Sequence, residues 1–184
     1  RVAPAFAKAS LNVAKLPMRE ATSLPVAKCI YERLPFPARN GGLERAFIEW
    51  AQADAGVEAF CKISETRHDF VRLRYVKEDG LPAFYSPDFL VRTVDAIFLV
   101  ETKAQEQVNN PNVQRKLKAA TAWCERINGL PDADGQIRRR WHYVLLGERI
   151  FAEWRNKGAR LPELLDFARV RPLASVISQG RLGF

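Results

Sequence analysis

Two strand-like segments separated by very little chain place the strongest constraint on the fold. Tyr85–Val91 and Ala96–Lys103 are both rich in large apolar residues, and only Arg92-Thr93-Val94-Asp95 joins them. A connection this short cannot cross back over a sheet, so the two segments are predicted to pair antiparallel as a hairpin. With the turn centred on the Val94–Asp95 bond, Asp88 lies opposite Glu101, with Cβ atoms about 5 Å apart.

The rest of the chain alternates between helical and strand-like patterns of apolar residues. The predicted elements around the hairpin are a helix at Leu43–Ala55, strands at Val57–Ile63 and Phe70–Val76, a helix from Asn110 to Gly129, a strand at Trp141–Leu146, and helices at Glu148–Lys157 and Pro162–Arg169. Up to the helix at Glu148–Lys157 the order is α-β-β-β-β-α-β-α, and one more helix follows. This order predicts an α/β fold with a central mixed β-sheet flanked by helices.

Proline and glycine clusters divide the chain into three parts. Residues 1–40 are predicted to be an N-terminal packing arm or the end of an upstream region, with weak helical stretches around Ala27–Arg33. Residues 41–172 form the main domain, which contains a loop at Pro131–Gln136, and residues 173–184 form a C-terminal tail. The first boundary rests on Pro and Gly clusters around residues 35–42.

Composition narrows the classes of function. Lys and Arg outnumber Asp and Glu by 29 to 21, and the resulting charge of +8 favours a polyanionic partner such as nucleic acid. The three cysteines and two histidines are isolated in the sequence, which argues against a zinc site, a disulfide framework and a histidine-based nucleophile. No apolar run is long enough to cross a membrane and none resembles a signal peptide, so a cytoplasmic location is expected.

Three charged residues interrupt the apolar hairpin: Asp88, Glu101 and Lys103. Glu101 and Lys103 are two positions apart and therefore share a face of their strand. Two adjacent carboxylates with open positions for water and phosphate suit Mg²⁺, and the lysine would orient or help to deprotonate an attacking water. Spacing and chemistry leave two interpretations open: metal-dependent cleavage of a phosphodiester, or an ordinary hairpin with a structural ion pair.

Four motifs stand in a fixed order along the chain. They are Gly42-Leu43-Glu44-Arg45-Ala46-Phe47, Tyr85-Ser86-Pro87-Asp88-Phe89-Leu90-Val91, Val100-Glu101-Thr102-Lys103 and Ala119-Ala120-Thr121-Ala122-Trp123-Cys124. Pro87-Asp88 with Glu101-Thr102-Lys103 resembles the signature of the PD-(D/E)XK nuclease superfamily, whose restriction-endonuclease-like core has a similar order of elements. More closely, residues 40 to 155 resemble the C-terminal endonuclease domain of Type III restriction enzyme Res subunits.

This resemblance implies a role for each matching residue. Asp88 and Glu101 would bind Mg²⁺, with Mn²⁺ as a substitute, and the Thr102 backbone carbonyl would be a further ligand. Lys103 would be the catalytic lysine. Glu44 corresponds to an acidic residue on the first core helix that is aimed at the metal, and its alternative is a solvated carboxylate at a helix N-terminus.

Polar and basic residues near these motifs are candidate DNA contacts. Gln105 lies between the Glu101-Thr102-Lys103 triplet and the helix that follows it. The candidates on that helix are Gln114, Arg115, Lys116 and Lys118. Lys62, Arg72 and Arg74 alternate with apolar neighbours on two other strands and could line the same surface. For each residue, a solvated basic face is the alternative.

The predicted function is that of a metal-dependent endonuclease domain that hydrolyses DNA phosphodiester bonds within a larger restriction or helicase–nuclease enzyme. Its partners would be double-stranded DNA, a helicase or ATPase region, and a methyltransferase or specificity subunit, without membrane association. The sequence has no Gly-x-x-x-x-Gly-Lys-Ser/Thr loop, so ATP is not expected to bind this chain. The alternatives are a non-catalytic nucleic-acid-binding or assembly module with the same fold, and a nuclease specific for RNA.

Overall fold

Eight strands and four α-helices make up the part of the chain that the computed structural model describes, namely residues 16, 18–39, 41–131 and 139–169. In chain order they are β1 (Ser23–Pro25), β2 (Arg33–Pro35), α1 (Gly42–Ala53), β3 (Ala59–Lys62), β4 (Leu73–Val76), β5 (Pro82–Tyr85), β6 (Phe89–Arg92), β7 (Ala96–Lys103), α2 (Pro111–Asn128), β8 (Arg140–Gly147), α3 (Glu148–Asn156) and α4 (Leu161–Ala168). Short 3₁₀ turns at Glu20–Thr22 and Gln105–Gln107 complete the set.

A four-stranded mixed sheet with the order β3-β6-β7-β8 forms the centre of the molecule. β6 pairs antiparallel with β3 and with β7, while β7 and β8 are parallel. A parallel pair needs a crossover connection, and α2 supplies it. The predicted fold class, a central mixed sheet flanked by helices, is confirmed.

The predicted hairpin register is also confirmed. Phe89 faces Val100 and Leu90 faces Leu99, so β6 and β7 turn about the Val94–Asp95 bond. Within that connection, the Thr93 hydroxyl accepts a hydrogen bond from the Ala96 N–H at 3.2 Å, which closes the turn. The same register, continued by one residue, places Asp88 beside Glu101.

Each face of the sheet has its own apolar core. On one face, Phe47 of α1 stacks on Phe89 at 4.5 Å between ring centroids, and Phe151 of α3 and Leu164 of α4 pack in the same cluster. On the other face, Ala120 and Cys124 of α2 pack on the sheet. β7, with neighbours on both edges and helices over both faces, is therefore the most enclosed strand.

One predicted strand, Tyr85–Val91, is wrong. The structure has β5 ending at Tyr85 and β6 beginning at Phe89, with Ser86, Pro87 and Asp88 between them. Pro87 has no N–H to donate to a ladder, so the strand breaks there. β5 pairs instead with β4 in a separate two-stranded sheet, so five strands, not four, lie between α1 and α2.

The weak helix predicted around Ala27–Arg33 is also wrong. These residues form the bend between β1 and β2, and their backbone groups are satisfied by neighbouring elements. Ala27 N–H donates to the Gln52 side chain at 2.8 Å, and the Lys28 carbonyl accepts from Phe60 N–H at 2.8 Å. Leu34 of β2 is fully buried in the core that α1 covers, so this segment packs on the main domain.

The domain boundaries at residues 40 and 172 stay predictions. The structure does not describe residues 1–15, 17, 40, 132–138 and 170–184. Most of the predicted loop at Pro131–Gln136 and all of the predicted tail therefore lie outside the described residues. Within the described ranges, no helix has both the length and the apolar character needed to cross a membrane.

Leu34→Ala tests whether β1 and β2 belong to the folded unit. Loss of a fully buried leucine should lower the free energy of unfolding by roughly 2–5 kcal/mol. Ile30→Ala, in the same segment but 57% exposed, is the matched control and should change stability little. Urea denaturation of both variants measures the difference. Equal stabilities would mean that the segment does not contribute to the core.

Candidate active site

Asp88, Glu101 and Lys103 meet at one end of the central sheet. Glu101 and Lys103 lie among the last three residues of β7, and Asp88 immediately precedes β6. Asp88 is anchored through its backbone, because its carbonyl accepts a hydrogen bond from Ile63 N–H at 2.8 Å, just after β3. Three strands therefore fix the positions of these side chains.

The Asp88 carboxylate is held by Thr102. The Thr102 N–H and the Thr102 hydroxyl both donate to Asp88 Oδ2, each at 2.7 Å. Both bonds end on one oxygen, so neither occupies Oδ1. β6 begins at Phe89, opposite Val100, so Thr102 lies beyond the ladder on that edge of β7. Since the N–H and C=O of one strand residue point to the same edge, the Thr102 carbonyl also faces the Asp88 side.

The Glu101 carboxylate is almost completely removed from water, with the residue 3% exposed. Its Oε1 forms an ion pair with Lys103 Nζ at 2.7 Å. Its Oε2 is buried and has no hydrogen-bond partner among the described residues. Burial, together with repulsion from Asp88, raises the pKa of Glu101 to about 7, although Lys103 and Lys116 partly oppose the rise.

Lys103 keeps its positive charge at neutral pH. Burial alone would lower the pKa of its ammonium, but attraction to Glu101 and Asp88 outweighs burial and holds the pKa above its ordinary value. The side chain is about one-fifth exposed. It is therefore a cation with access to solvent, already oriented by a carboxylate.

The donor set at this site fits a small hard cation. A buried carboxylate oxygen without a partner is costly, and Glu101 Oε2 would be satisfied by a positive ion beside Asp88. Mg²⁺ typically binds one or two protein carboxylates and keeps several waters. In the described ranges, no group of three or more His, Cys, Asp and Glu side chains is arranged to hold a metal. The ligand set that the resemblance implies is Asp88, Glu101 and the Thr102 carbonyl.

Glu44 lies at the site, but its carboxylate already has a partner. It forms an ion pair with Lys62, and both side chains are mostly buried. Lys62 Nζ also lies 5.4 Å from the centre of the Phe89 ring. Burial lowers the pKa of Lys62, and attraction to the negative charge of Asp88 partly opposes this effect. The predicted DNA contact at Lys62 is thus a buried ion pair, and its role toward DNA stays a prediction.

An open cleft of about 530 Å³ adjoins the two β7 residues Thr102 and Lys103. Its wall includes Glu44 on one side and Glu148, at the start of α3, on the other. The remaining lining residues are Gly42, Leu43, Ala104, Glu106 and Gln107. This cleft gives solvent and solutes a route to Lys103.

Apart from Lys116, the other predicted DNA contacts are all exposed. Arg72, Arg74, Arg115 and Lys118 are exposed. Gln114 is also exposed, but its amide donates to the Val108 carbonyl at 2.8 Å. Gln105 is exposed, and its side chain packs against Gly147, the last residue of β8. A Cβ atom at position 147 would lie 3.0 Å from the Gln105 side chain. None of the described contacts joins these residues to the carboxylates.

Lys116 has a more defined place than its neighbours on α2. Its Nζ lies 5.1 Å from the Tyr85 ring centre and 5.8 Å from that of Tyr75. Its positive charge also acts to lower the pKa of Glu101. Sequence reasoning missed the two tyrosines and the Thr102 hydroxyl. A contact between Thr102 and Asp88 could have been predicted. Glu101 lies opposite Asp88 in the hairpin register, and Thr102 is the next residue along the strand.

The fold and the site are together consistent with a restriction-endonuclease-like domain. Residues 61–129, somewhat more than a third of the chain, match the family model described as "TnsA-like endonuclease N terminal", which belongs to the PD-(D/E)XK superfamily. The matched segment contains Asp88, Glu101 and Lys103, and it supports a nuclease-type domain. The closer resemblance to Type III Res subunits is not confirmed. Comparison with curated proteins gave no match, and neither did comparison with solved structures.

The raised pKa of Glu101 predicts a pH-dependent cost in stability. Between about pH 4.5 and about pH 7, native Glu101 keeps a proton that the unfolded chain has lost, so stability falls as pH rises through this window. Glu101→Gln cannot ionise. From pH 5 to pH 8, its free energy of unfolding should therefore rise relative to that of the wild type by roughly 2–3 kcal/mol.

Urea denaturation at both pH values measures this change. Glu125→Gln, at an exposed position of α2, is the control and should follow the wild type at both. A difference between wild type and Glu101→Gln that is the same at pH 5 and pH 8 would contradict the assignment.

Proposed function

We propose that this chain is a metal-dependent endonuclease domain that hydrolyses DNA phosphodiester bonds. One observation carries the proposal: the buried Glu101 carboxylate has one oxygen on Lys103 and another without a partner, beside Asp88. A purely structural ion pair would not require a second carboxylate at this point. The match of this same segment to an endonuclease family model supports the assignment.

Asp88, Glu101 and the Thr102 carbonyl would hold Mg²⁺, with Mn²⁺ as a substitute. Bound Mg²⁺ would supply polarisation of the scissile phosphate and acidification of the attacking water. Thr102 fixes Asp88 through two hydrogen bonds, so the carboxylate keeps its orientation without a ligand. Preorganised ligands of this kind reduce the reorganisation that binding requires.

Lys103 acts as a cation in this proposal. Because its pKa lies above the ordinary value, it is protonated at neutral pH and donates hydrogen bonds to the attacking water or to a phosphate oxygen. In that position it orients the nucleophile and offsets the negative charge that develops on the phosphate. The adjoining cleft leaves this ammonium open to solutes.

The wider context is proposed from the sequence motifs. We infer a domain of a larger restriction or helicase–nuclease enzyme, similar to Type III Res subunits, with ATP hydrolysis and sequence recognition in other regions or subunits. Double-stranded DNA is the proposed substrate, since a net charge of +8 favours a polyanion. The cytoplasm is the location expected for such an enzyme.

A second candidate function is a nucleic-acid-binding or assembly module without catalysis. The observation that favours it is that Glu44 and Glu101 are each already paired with a lysine, as in a structural ion-pair network. The two candidates differ in one property. A nuclease loses cleavage when Lys103 is removed, whereas a binding module has no cleavage to lose.

Lys103→Ala tests the proposal with supercoiled plasmid as substrate. Nicking by the wild type should require Mg²⁺ or Mn²⁺ and stop with EDTA. The variant should be slower by about 100-fold or more, because a cation that stabilises the transition state is removed. Lys157→Ala is the matched control, since Lys157 is 71% exposed and pairs with Glu153. It should cut as the wild type does.

A Lys103→Ala variant that nicks at the wild-type rate would refute the assigned role of Lys103. A folded wild-type protein that binds the plasmid but never cuts it, with either metal, would favour the binding module.

A further inference from the structure

The β4–β5 hairpin has one buried and one exposed face. Leu73 and Tyr85 point inward and are 2% and 3% exposed. The residues at the alternate positions point the other way and are all exposed. We call this surface the outer hairpin face; it consists of Arg72, Arg74, Val76, Pro82 and Phe84. The two strands pair with each other but with none of the central strands, so they form an isolated two-stranded ribbon.

The outer hairpin face combines positive charge with apolar surface. Val76 and Phe84 are 51% and 55% exposed, so they present apolar surface to solvent beside the arginines. The Arg72 guanidinium lies 5.3 Å from the centre of the Phe84 ring, so cation–π contact orients it. The face contains no carboxylate. The nearest acidic residues in sequence lie outside the face: Asp69 comes three residues before Arg72, and Glu78 and Asp79 lie at the tip, where Asp79 accepts from Leu81 N–H.

The ribbon is held firmly and lies close to the candidate active site. Tyr85 Oη donates to the Lys116 carbonyl at 2.9 Å, and Glu78 N–H at the tip donates to Asn112 Oδ1 at 3.0 Å, so both ends are tied to α2. Only Ser86 and Pro87 separate Tyr85 from Asp88. Three residues of chain span at most about 10 Å. A DNA strand with its phosphate at Asp88 would therefore have its next phosphates near this face.

We propose that the outer hairpin face contacts double-stranded DNA beside the bond that is cleaved, an inference that rests on the proposed endonuclease function. A two-stranded β-ribbon fits the major groove of DNA, where arginines bind phosphates or guanine and apolar side chains contact thymine methyl groups. Arginines at 72 and 74 without a neighbouring carboxylate on the face match a polyanion better than a protein surface. DNA is therefore the committed partner.

Binding of a short labelled DNA duplex tests this surface. Lys103→Ala serves as the parent, so that the duplex stays intact, and fluorescence anisotropy gives the dissociation constant over a range of salt concentrations. Adding Arg72→Ala and Arg74→Ala should weaken binding about tenfold or more and reduce the salt dependence by about one to two counterions. Adding Phe84→Ala should weaken binding several-fold and leave the salt dependence unchanged, since it removes no charge.

The charge-matched control is Arg126→Ala with Arg140→Ala. Both residues are exposed, and they lie at the opposite end of the sheet, where Asn128 bonds to Trp141. The control should bind within about twofold of the parent, because distant charges are screened. Equal losses in the control and in the arginine variant would indicate diffuse attraction and overturn the proposal. Melting curves by circular dichroism verify that each variant is folded.

Two further outcomes separate this proposal from the proposed function. If the parent binds DNA but the three hairpin substitutions change nothing, the hairpin proposal fails while the endonuclease assignment stands, and the face would suit a protein partner. If the parent binds no DNA at any salt concentration, both proposals fail together.

Discussion

The burial of the Glu101 carboxylate is the constraint on which the rest of the site depends. Its strand, β7, has hydrogen-bonded neighbours on both edges and helices over both faces, so a charge there is far from water. Such a group is tolerated only if positive charge compensates it. Lys103 supplies part of this compensation at one oxygen, and the other oxygen lacks it. The site therefore lacks one positive partner, which the proposed small cation would supply.

One break in the chain links the site to the surface proposed for DNA. Pro87 ends the strand that Tyr85 would otherwise continue, and two consequences follow. Asp88 lies at the end of the β6 ladder, where its carboxylate accepts two hydrogen bonds from Thr102. The preceding segment also leaves the central sheet and pairs with β4 as a separate ribbon. A single imino acid thus positions a candidate metal ligand and projects the arginines of the ribbon beside it.

The sequence predicted local geometry better than it predicted partners. The register of β6 and β7 followed from their short connection, and with it the meeting of Asp88 and Glu101. The alternating pattern around Arg72 correctly indicated one buried face, but alternation does not specify which strand lies alongside, so the separate ribbon was missed. The pairing of Glu44 with Lys62 joins a helix to a strand, and no periodicity in the sequence indicates such a contact. The N-terminal hairpin was missed because its strands are only three residues long and its contacts are tertiary.

Direct measurement of metal binding tests the central claim, that the buried Glu101 carboxylate and the neighbouring Asp88 carboxylate form a cation site. Mn²⁺ is a suitable probe, because electron paramagnetic resonance separates free from bound ion at pH 8, where Glu101 is ionised once a cation is present. The account predicts bound Mn²⁺ in the wild type and in the Glu125→Gln control, and a loss of at least tenfold in affinity in Glu101→Gln and in Asp88→Asn. Equal Mn²⁺ binding by all four proteins would contradict it.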